Sequence, residues 1–537
     1  MTVSPRRLRA AVVAVVVGVG YAVPAGGCSH GGSRRHGAAS TSSTVGRPGA
    51  SGAVGAGAAA LRLGVPAEPA SLDPFDPKSR TLAGEAILGE VLPQLFRVDP
   101  GGREVGWLAD DASVKEAPDG RSATFTLRPG ARWSDGAPIT VDDVRFSVDT
   151  VRGAAWPGPR AGYDRVVGVD GAGSSVTLRF DGPFPGWRRL LSGADFVLPA
   201  HRLAGKDLRK EWAAGPDVAG GPFRLGAVTP GLSVVLTRND SWWGPPVKAA
   251  SIEVLVVPDV RTMEQLLGRG GLDVAWPPEA TNRIGRFRAL PGVALSVAEP
   301  GGTFEVLAAN SQTVPAARRL AYLGLANRDR FVDVVLAGEA DRAVSLVPPS
   351  PAAGPASGAA SGAASGPPTW ATAGAGPGIG ALKGAPEATL VSDDEDEQSP
   401  PVGRVLQQGA AAAGADVELK SDESTTVDAG WLPDGRFDLA LMRTVAWPEP
   451  CWSCWFADAG VGRGNVTRAK GLTALAAAAD ADPAAVPALE ARVKSDGLLL
   501  PLWRPRAVLA RRGVTGLVAN SWSVGPFWSA ESWSPSR

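Results

Sequence analysis

The sequence predicts an α/β protein, and two stretches carry that prediction. In residues 124–127, polar and apolar side chains alternate as they do in a half-buried strand. A turn rich in Gly, Pro and Asp follows, and valines at helical spacing from Val141 to Val151 then make one apolar stripe. Further on, an apolar run at 252–257 is followed by a helical segment at 259–267 and a second short strand. This strand–helix–strand order implies an α/β lobe with short crossovers.

Length and charge set broad limits on the function. The chain has 537 residues, which is enough for two or three domains with large cores. Lys+Arg and Asp+Glu both total 54, so the formal net charge is zero. Nothing in this balance indicates a nucleic-acid partner.

The N-terminus has the features of an export signal. Arg6, Arg7 and Arg9 form a basic region, and the apolar stretch 10–23 that follows is too short to span a bilayer comfortably. Small residues then precede Cys28, an arrangement that resembles a bacterial lipobox. We therefore expect a signal peptide over 1–28, a lipid on Cys28 and a location on the outer face of the cell membrane. The alternatives are an ordinary cleaved signal with an incidental Cys, and export by the twin-arginine route.

Two low-complexity segments divide the rest of the chain. Residues 29–60 are Gly, Ser, Ala and Thr with almost nothing to bury, so a disordered tether is expected. Residues 348–386 are rich in Pro, Ala, Gly and Ser and predict a disordered surface insertion. No second apolar run reaches membrane-spanning length, so the body of the exported protein is predicted to be soluble.

The ordered parts predict alternating strands and helices. Thr140 stands three residues before Asp143, the spacing of a capping box, so a helix is expected to begin there. The remaining predicted elements, in order, are a strand at 61–65, a helix at 81–96, two strands within 161–180, a strand from Phe223, helices at 316–325 and 402–414, a strand at 416–419, a helix at 485–493 and a strand at 498–502.

One stretch carries a family resemblance. Its residues are Phe125, Leu127-Arg128, Gly130, Trp133, Ser134-Asp135-Gly136, Pro138, Thr140, Asp143-Val144 and Phe146-Ser147. In this order and spacing they closely resemble the signature of the family 5 extracellular solute-binding proteins, which are peptide, dipeptide and nickel receptors of ABC importers. Shorter matches, such as Gly220-Gly221-Pro222-Phe223 and Arg238-Asn239, spread the resemblance over 61–517.

The resemblance implies a two-lobe periplasmic-binding-protein-like fold of type II, with an additional subdomain in the first lobe. The first lobe is then expected at 61–305, with the subdomain at about 97–220. The second lobe follows at 306–495, and residues 496–537 return to the first lobe. Receptors of this kind bind a solute between two lobes that close over it.

The ligand-binding residues are expected near the end of a second-lobe strand. Peptide-binding relatives carry a Trp, an Asp that pairs with the peptide amine, and an acid–Pro pair here. This chain has Arg443, then Ala446 at the Asp position, then Trp447 and Glu449. A buried ammonium needs an opposite charge, so either another acid replaces the Asp or the ligand is not a standard peptide. Phe75, which follows the Leu-Asp-Pro turn of the first lobe, is a further ligand-binding candidate.

Aromatic and Cys residues follow Trp447. Trp452 and Trp455 either pack beneath a loop or stack on the ligand, and both alternatives stay open. Cys451 and Cys454 form C-x-x-C, and in an exported protein a local disulfide is the first interpretation. Zinc needs more Cys or His ligands than this stretch supplies, so no metal and no cofactor are expected.

The function predicted from the sequence is that of a receptor and not of an enzyme. A Ser–His–Asp device would have to use His201, which lies in a scaffold-like segment, and neither G-x-S-x-G nor H-E-x-x-H occurs. The expected partners are a small solute, either a peptide or a peptide-like compound, and the permease subunits of an ABC importer. The alternatives are a solute-sensing lipoprotein without a transport role and, more remotely, an exported hydrolase.

Overall fold

Two large sheets and one smaller sheet organise the computed structural model. It describes residues 60–536 except 154–155, 158–161, 279–280, 349–377, 394–397, 423–425, 446–449, 457–465 and 523–524, and except the side chains of residues 428, 429, 445 and 454. The predicted signal peptide and tether, and most of the predicted insertion, therefore lie outside the described residues.

The strands are short and follow one another along the whole described chain. They are β1 Ala60–Val65, β2 Phe96–Val98, β3 Glu104–Gly106, β4 Lys115–Glu116, β5 Ser122–Thr126, β6 Val166–Ala172, β7 Ser175–Phe180, β8 Phe223–Thr229, β9 Ser233–Arg238, β10 Ser251–Val256, β11 Val274–Ala275, β12 Ala294–Val297, β13 Thr303–Ala309, β14 Ala340–Arg342, β15 Ala388–Asp393, β16 Val417–Asp422, β17 Leu439–Val445, β18 Leu499–Pro505, β19 Val508–Arg511, β20 Val514–Thr515 and β21 Ser534–Pro535.

Helices connect the strands of both large sheets. They are α1 Leu82–Val91, α2 Val141–Arg152, α3 Ala200–Leu203, α4 Leu208–Glu211, α5 Val260–Gly268, α6 Ile284–Arg288, α7 Ala316–Gly324, α8 Arg328–Arg330, α9 Ser399–Ala412, α10 Leu432–Asp434, α11 Trp452–Phe456, α12 Thr473–Ala481 and α13 Val486–Ser495. Two π-helical turns lie at Phe331–Val335 and Val427–Trp431.

The first lobe is built on a seven-stranded sheet with the order β12-β19-β11-β1-β10-β9-β8. β1 runs parallel to both β10 and β11, and the remaining pairs are antiparallel. Leu61, Leu63 and Val65 alternate along β1, so they share one face of the sheet, and all three are buried in the core of this lobe.

A four-stranded antiparallel sheet, β4-β5-β7-β6, forms a subdomain of this lobe together with α2, α3 and α4. The predicted capping box begins α2: the Thr140 amide donates to Asp143 Oδ2 at 2.8 Å, and the Thr140 side chain accepts from the first turn. The predicted stripe is also confirmed, since Val141, Val144 and Val148 are buried against the subdomain core. The local sequence therefore determines both where α2 begins and which face of α2 is buried.

The second lobe has a six-stranded sheet with the order β14-β18-β13-β17-β15-β16. β13 lies between β18 and β17 and is antiparallel to both, while β15 is parallel to β16 and β17. A separate hydrophobic core, drawn from 304–503, surrounds this sheet. The core of the first lobe and its subdomain is drawn from 61–298 and 509–533.

Two chain segments cross between the lobes. One runs from β12 to β13, and the other runs from β18 to β19. They lie side by side, because the Ala298 amide donates to the Ala507 carbonyl at 2.9 Å. Two cores joined by paired crossings confirm the predicted α/β two-lobe fold with a subdomain in the first lobe.

One predicted helix ends earlier than expected. The helix expected at 81–96 ends at Val91, and Leu92 is extended with φ −104° and ψ 133°. Pro93 follows Leu92, and the ring of a proline disfavours helical backbone in the residue before it. The chain then enters β2, so Phe96 lies in a strand.

Candidate ligand-binding cleft

An arginine and a glutamate stand where the lobes meet. Glu305 of β13 and Arg443 of β17 are directly opposite in the antiparallel register. The Arg443 Nε donates to Glu305 Oε1 at 2.5 Å, and its Nη1 donates to the Pro278 carbonyl of the first lobe at 3.3 Å. Sequence reasoning selected Arg443, and the structure places it in contact with both lobes.

A second polar contact crosses the same boundary. Gln398, just before α9 of the second lobe, donates from Nε2 to the Thr281 hydroxyl of the first lobe at 3.1 Å, and both residues are buried. Asn282 is next to Thr281, and its Oδ1 is enclosed without a hydrogen-bond partner among the described residues. The structure thus has the two lobes in contact, with polar side chains on both sides.

The aromatic stretch is helical, although the sequence predicted a loop. Residues Trp452–Phe456 form α11, and the Asp480 carboxylate of α12 accepts from the amides of Trp452 at 2.7 Å and Ser453 at 3.2 Å. A carboxylate at the first turn satisfies amides that a helix leaves without partners. The loop prediction was wrong because this carboxylate comes from a residue distant in the sequence.

The two tryptophans of this helix have different surroundings. Trp452 is 2% exposed and belongs to the second-lobe core, as expected of a packing residue. Trp455 is partly exposed and its ring lies 5.7 Å from that of Phe304 and 5.6 Å from that of Trp452. Of the two, Trp455 has the more open surface for a ligand, and a ligand contact for either stays a prediction.

Other predicted site residues are only partly accounted for. Trp447, Glu449 and Cys28 lie outside the described residues. Cys451 is disulfide-bonded, while the side chain of Cys454 is outside the described part, so the pairing of these two stays a prediction.

Phe75 lies inside the first lobe. Its ring is fully buried, stacked on Trp212 at 6.1 Å and edge-on to Trp156 at 6.1 Å. A contact between this ring and a solute would require these tryptophans to separate. The structure therefore gives Phe75 a packing role, and its ligand-binding role stays a prediction.

Sequence reasoning missed Glu305, Pro278, Thr281 and Gln398. One signal was available for Glu305, since it is a lone carboxylate within the apolar run of β13 and buried charges are paired. The other three carry no local pattern, because their role arises only when two distant segments meet.

His201 takes part in a surface interaction of the subdomain. Its Nε2 lies 2.8 Å from Asp135 Oδ2, and its ring is beside that of Trp133. Hydrogen bonding to His201 contributes to lowering the pKa of Asp135 against the effect of burial. Asp135 belongs to the turn before α2, so His201 braces that turn.

The described residues contain neither a candidate metal site nor a helix suited to crossing a membrane. No group of three or more His, Cys, Asp or Glu side chains there is arranged to hold a metal ion. In the same part of the chain, no helix has both the length and the apolar character needed to cross a membrane.

Solved structures of binding proteins share this fold. The chain superposes on the oligopeptide-binding protein AppA from Bacillus subtilis, solved in complex with a nonapeptide, with a TM-score of 0.76 and 18% identity, covering 89% of this chain and 99% of that one. It also superposes on NikZ from Campylobacter jejuni, solved in complex with Ni(L-His), with a TM-score of 0.71 and 16% identity, covering 88% and 99%. At these identities the likeness shows the fold, which is that of a two-lobe binding protein.

The chain belongs to the bacterial extracellular solute-binding proteins, family 5, whose family model matches residues 104–462. Among curated relatives, the oligopeptide-binding protein OppA from Mycobacterium tuberculosis is 31% identical over 193 residues, which is 34% of this chain and 32% of that protein. The match thus spans about a third of the length of this relative. The family is one of binding proteins, and it confirms both the predicted resemblance and the prediction of a protein that is not an enzyme.

Proposed function

We propose that this chain is the solute receptor of an ABC importer and binds an oligopeptide or peptide-like solute between its two lobes. The observation that carries the proposal is the Arg443 side chain, which contacts Glu305 of one lobe and the Pro278 carbonyl of the other. A polar side chain that contacts both lobes stands at the place where a solute would be enclosed. The receptor would then release the solute unchanged to a permease.

The two paired crossings have the features of a hinge about which the lobes could close. Hinges are a few residues at the ends of elements that absorb changes in backbone angles. Residues 298–302 and 506–507 fit this description, since each joins a strand of one sheet to a strand of the other. A solute shifts such an equilibrium only by its differential affinity for the closed state. Residues that contact both lobes in the closed state stabilise that state, and they therefore raise the affinity for a solute that binds to it.

A peptide-like solute is supported by the relatives. The names of OppA and AppA state that they bind oligopeptides, and AppA was solved with a nonapeptide. NikZ, with the same fold, was solved with Ni(L-His). This chain has three His residues in all, and the one in the described part pairs with Asp135. We therefore favour a peptide over a nickel chelate.

We further propose that a lipid on Cys28 tethers the protein to the outer face of the cell membrane. Two acyl chains on one residue give stable anchoring, because each buried CH₂ contributes roughly 0.8 kcal/mol. Metabolic labelling with a fatty acid tests this. The label is expected on the wild-type chain and not on Cys28→Ala, and label retained in the variant would rule Cys28 out.

Native mass spectrometry of the purified chain tests the class of solute. We expect an added mass, released on unfolding, that fragments as a peptide of several residues. A released compound that contains no peptide bond would contradict the peptide proposal while leaving the receptor proposal intact. If deleting the gene leaves uptake of that compound unchanged, the solute-sensing alternative is favoured over transport.

Replacing Arg443 by Lys is expected to weaken binding of the released peptide about tenfold, or about 1.4 kcal/mol. The lysine keeps a positive charge beside Glu305 but loses the fork that reaches Glu305 and Pro278 together. Isothermal titration measures the change. The control is Arg436→Lys, because Arg436 is exposed and its ion pair among the described residues is with Asp434 of the same lobe. Equal affinity in Arg443→Lys and the wild type would remove Arg443 from the site.

A further inference from the structure

An arginine lies where the subdomain of the first lobe meets the second lobe. Arg189 ends the helical turn Pro185–Arg189, which follows β7 and packs against α12. Its Nε is enclosed by the protein and has no hydrogen-bond partner among the described residues. An enclosed donor without an acceptor is unusual, because buried polar groups are nearly always hydrogen-bonded.

Two groups lie against this guanidinium, the Phe184 ring and the backbone of Gly162. The ring of Phe184 lies 5.1 Å from the guanidinium carbon. Gly162 packs on the guanidinium as bare backbone with φ +93°, and a Cβ there would lie 3.4 Å from Nη2, 3.5 Å from Nε and 3.1 Å from the Phe184 ring. A Cβ would thus be in van der Waals contact with the guanidinium, so Gly162 leaves little space beside it.

The nearby charges only partly offset the loss of water around Arg189. Asp480 of α12 and Glu104 of β3 attract the guanidinium, while Arg165 repels it. The Asp480 carboxylate already accepts hydrogen bonds from the Trp452 and Ser453 amides. Burial, the largest effect, outweighs these attractions and lowers the pKa of Arg189. The positive charge is thus less favourable here than in water.

We propose that Arg189 is a recognition residue that donates to an oxygen acceptor of the bound solute, and that this hydrogen bond makes lobe closure depend on the solute. The inference rests on the proposed function and names the chemistry of one contact within it. Because α12 belongs to the other lobe, Arg189 loses water when the lobes approach. A carbonyl or carboxylate oxygen supplies the missing acceptor, so closure without a solute is disfavoured.

Small-angle X-ray scattering of the purified full chain without a solute tests the closure claim. Replacing Arg189 by Met removes the charge that closure desolvates, so we expect a smaller radius of gyration than in the wild type. An attraction between Arg189 and Asp480 that holds the lobes together would instead give a larger radius. A water molecule that satisfies the guanidinium would leave the radius unchanged. Either of the last two results overturns the proposal.

Titration with penta-alanine and with its C-terminal amide tests the recognition claim. Arg189→Met is expected to bind penta-alanine at least tenfold more weakly than the wild type. If the amide is weakened equally, the acceptor is a carbonyl oxygen; if only the free acid is weakened, it is the terminal carboxylate. Equal affinity of the variant and the wild type for both peptides overturns the claim.

Two further variants keep the test decisive. Arg188→Met is the matched control, because Arg188 is in the same turn but pairs with Asp111 and Glu116 inside the subdomain. It is expected to change neither the radius nor the affinity. If Arg189→Met does not fold, Arg189→Lys is used in its place. Arg189→Lys is also expected to bind penta-alanine more weakly than the wild type. If the wild type binds neither peptide, the peptide proposal fails, and the scattering result still decides the closure claim.

Discussion

Replacing Arg97 by Met is expected to lower the free energy of unfolding at pH 8 by about 3–5 kcal/mol. The Arg97 Nη1 lies 3.3 Å from Glu90 Oε1, and both side chains are buried. Its Nε donates to Gln94 Oε1 at 2.9 Å, and its Nη2 donates to the Gly89 carbonyl at 2.6 Å. Without Arg97, these acceptors stay enclosed and the Glu90 carboxyl loses the cation that partly offsets its burial, so it must take up a proton or remain an unpaired buried charge.

A second carboxylate increases the effect. Glu531, near the C-terminal end, raises the pKa of Glu90 by repulsion, and Arg97 lowers the pKa of both. Glu90 Oε2 and Glu531 Oε2 are each enclosed without a hydrogen-bond partner among the described residues. The charge of Arg97 therefore acts on two carboxylates, one in α1 and one in the C-terminal segment.

The pH dependence of stability follows from Glu90. Burial raises its pKa from 4.5 to about 8, so the folded protein holds a proton that the unfolded chain releases near pH 4.5. This contribution to stability is fully present below pH 4.5 and is lost as the pH rises to about 8. Arg97→Met removes an attraction that lowers this pKa, so the loss is expected to extend to higher pH. Glu90→Gln is expected to remove this contribution to the pH dependence.

Urea unfolding followed by tryptophan fluorescence between pH 5 and 9 measures these effects. The control is Arg103→Met, because Arg103 is mostly exposed and its partner Asp99 also accepts hydrogen bonds from the Gly101 and Arg103 amides, so a change within about 0.5 kcal/mol is expected. A loss below about 1 kcal/mol in Arg97→Met would contradict the assignment. So would a Glu90→Gln variant whose stability keeps the pH dependence of the wild type.

Local sequence predicted most of the fold for physical reasons. The α2 unit was predicted well because its capping box and its valine stripe act over a few residues. β1, β10 and α13 were predicted from apolar runs or helical spacing in the same way. The early end of α1 also has a local cause in Pro93, which the apolar pattern hid.

The site was predicted less completely because it depends on distant contacts. Arg443 was found through a motif at the end of β17, but its partners Glu305 and Pro278 come from other segments. The helix α11 was missed because Asp480, well beyond it in the chain, satisfies its first amides. No sequence pattern distinguishes Arg189 from Arg188, although the proposal assigns a solute contact to Arg189 and none to Arg188.

Arg504 is buried in β18 and forms hydrogen bonds that connect the crossing from β12 to β13 with the second lobe. Its Nη1 donates to the Gly301 carbonyl at 3.1 Å, and its Nη2 donates to the carbonyls of Ser345 at 3.1 Å and Val347 at 2.8 Å. The guanidinium also lies over the Phe304 ring at 4.7 Å. Gly301 belongs to the crossing from β12 to β13, so one cation connects this crossing to the second lobe.

Arg504→Met is therefore expected to lower the free energy of unfolding by about 3–5 kcal/mol, because three carbonyls, including the buried one of Gly301, lose a charged donor. Burial lowers the pKa of Arg504 to about 10, so it remains charged near neutral pH and the loss is expected throughout pH 6–8. Arg504→Lys is expected to recover only part of it, since an ammonium is a compact point charge and lacks the rigid fork.

The matched control for Arg504 is Arg506→Met. Arg506 follows on the same crossing but pairs with the largely exposed Asp341, so a change within about 0.5 kcal/mol is expected. Chemical unfolding gives the free energies, and scattering of the folded variants reports the spread of distances between the lobes. Loss of the Gly301 contact frees one of the two crossings, so Arg504→Met is expected to broaden that spread and Arg506→Met is not. Equal free energies of unfolding and equal distance spreads in the two variants would show that the crossing keeps its geometry without Arg504. The stiffness of the hinge would then have to come from the Ala298–Ala507 backbone pairing.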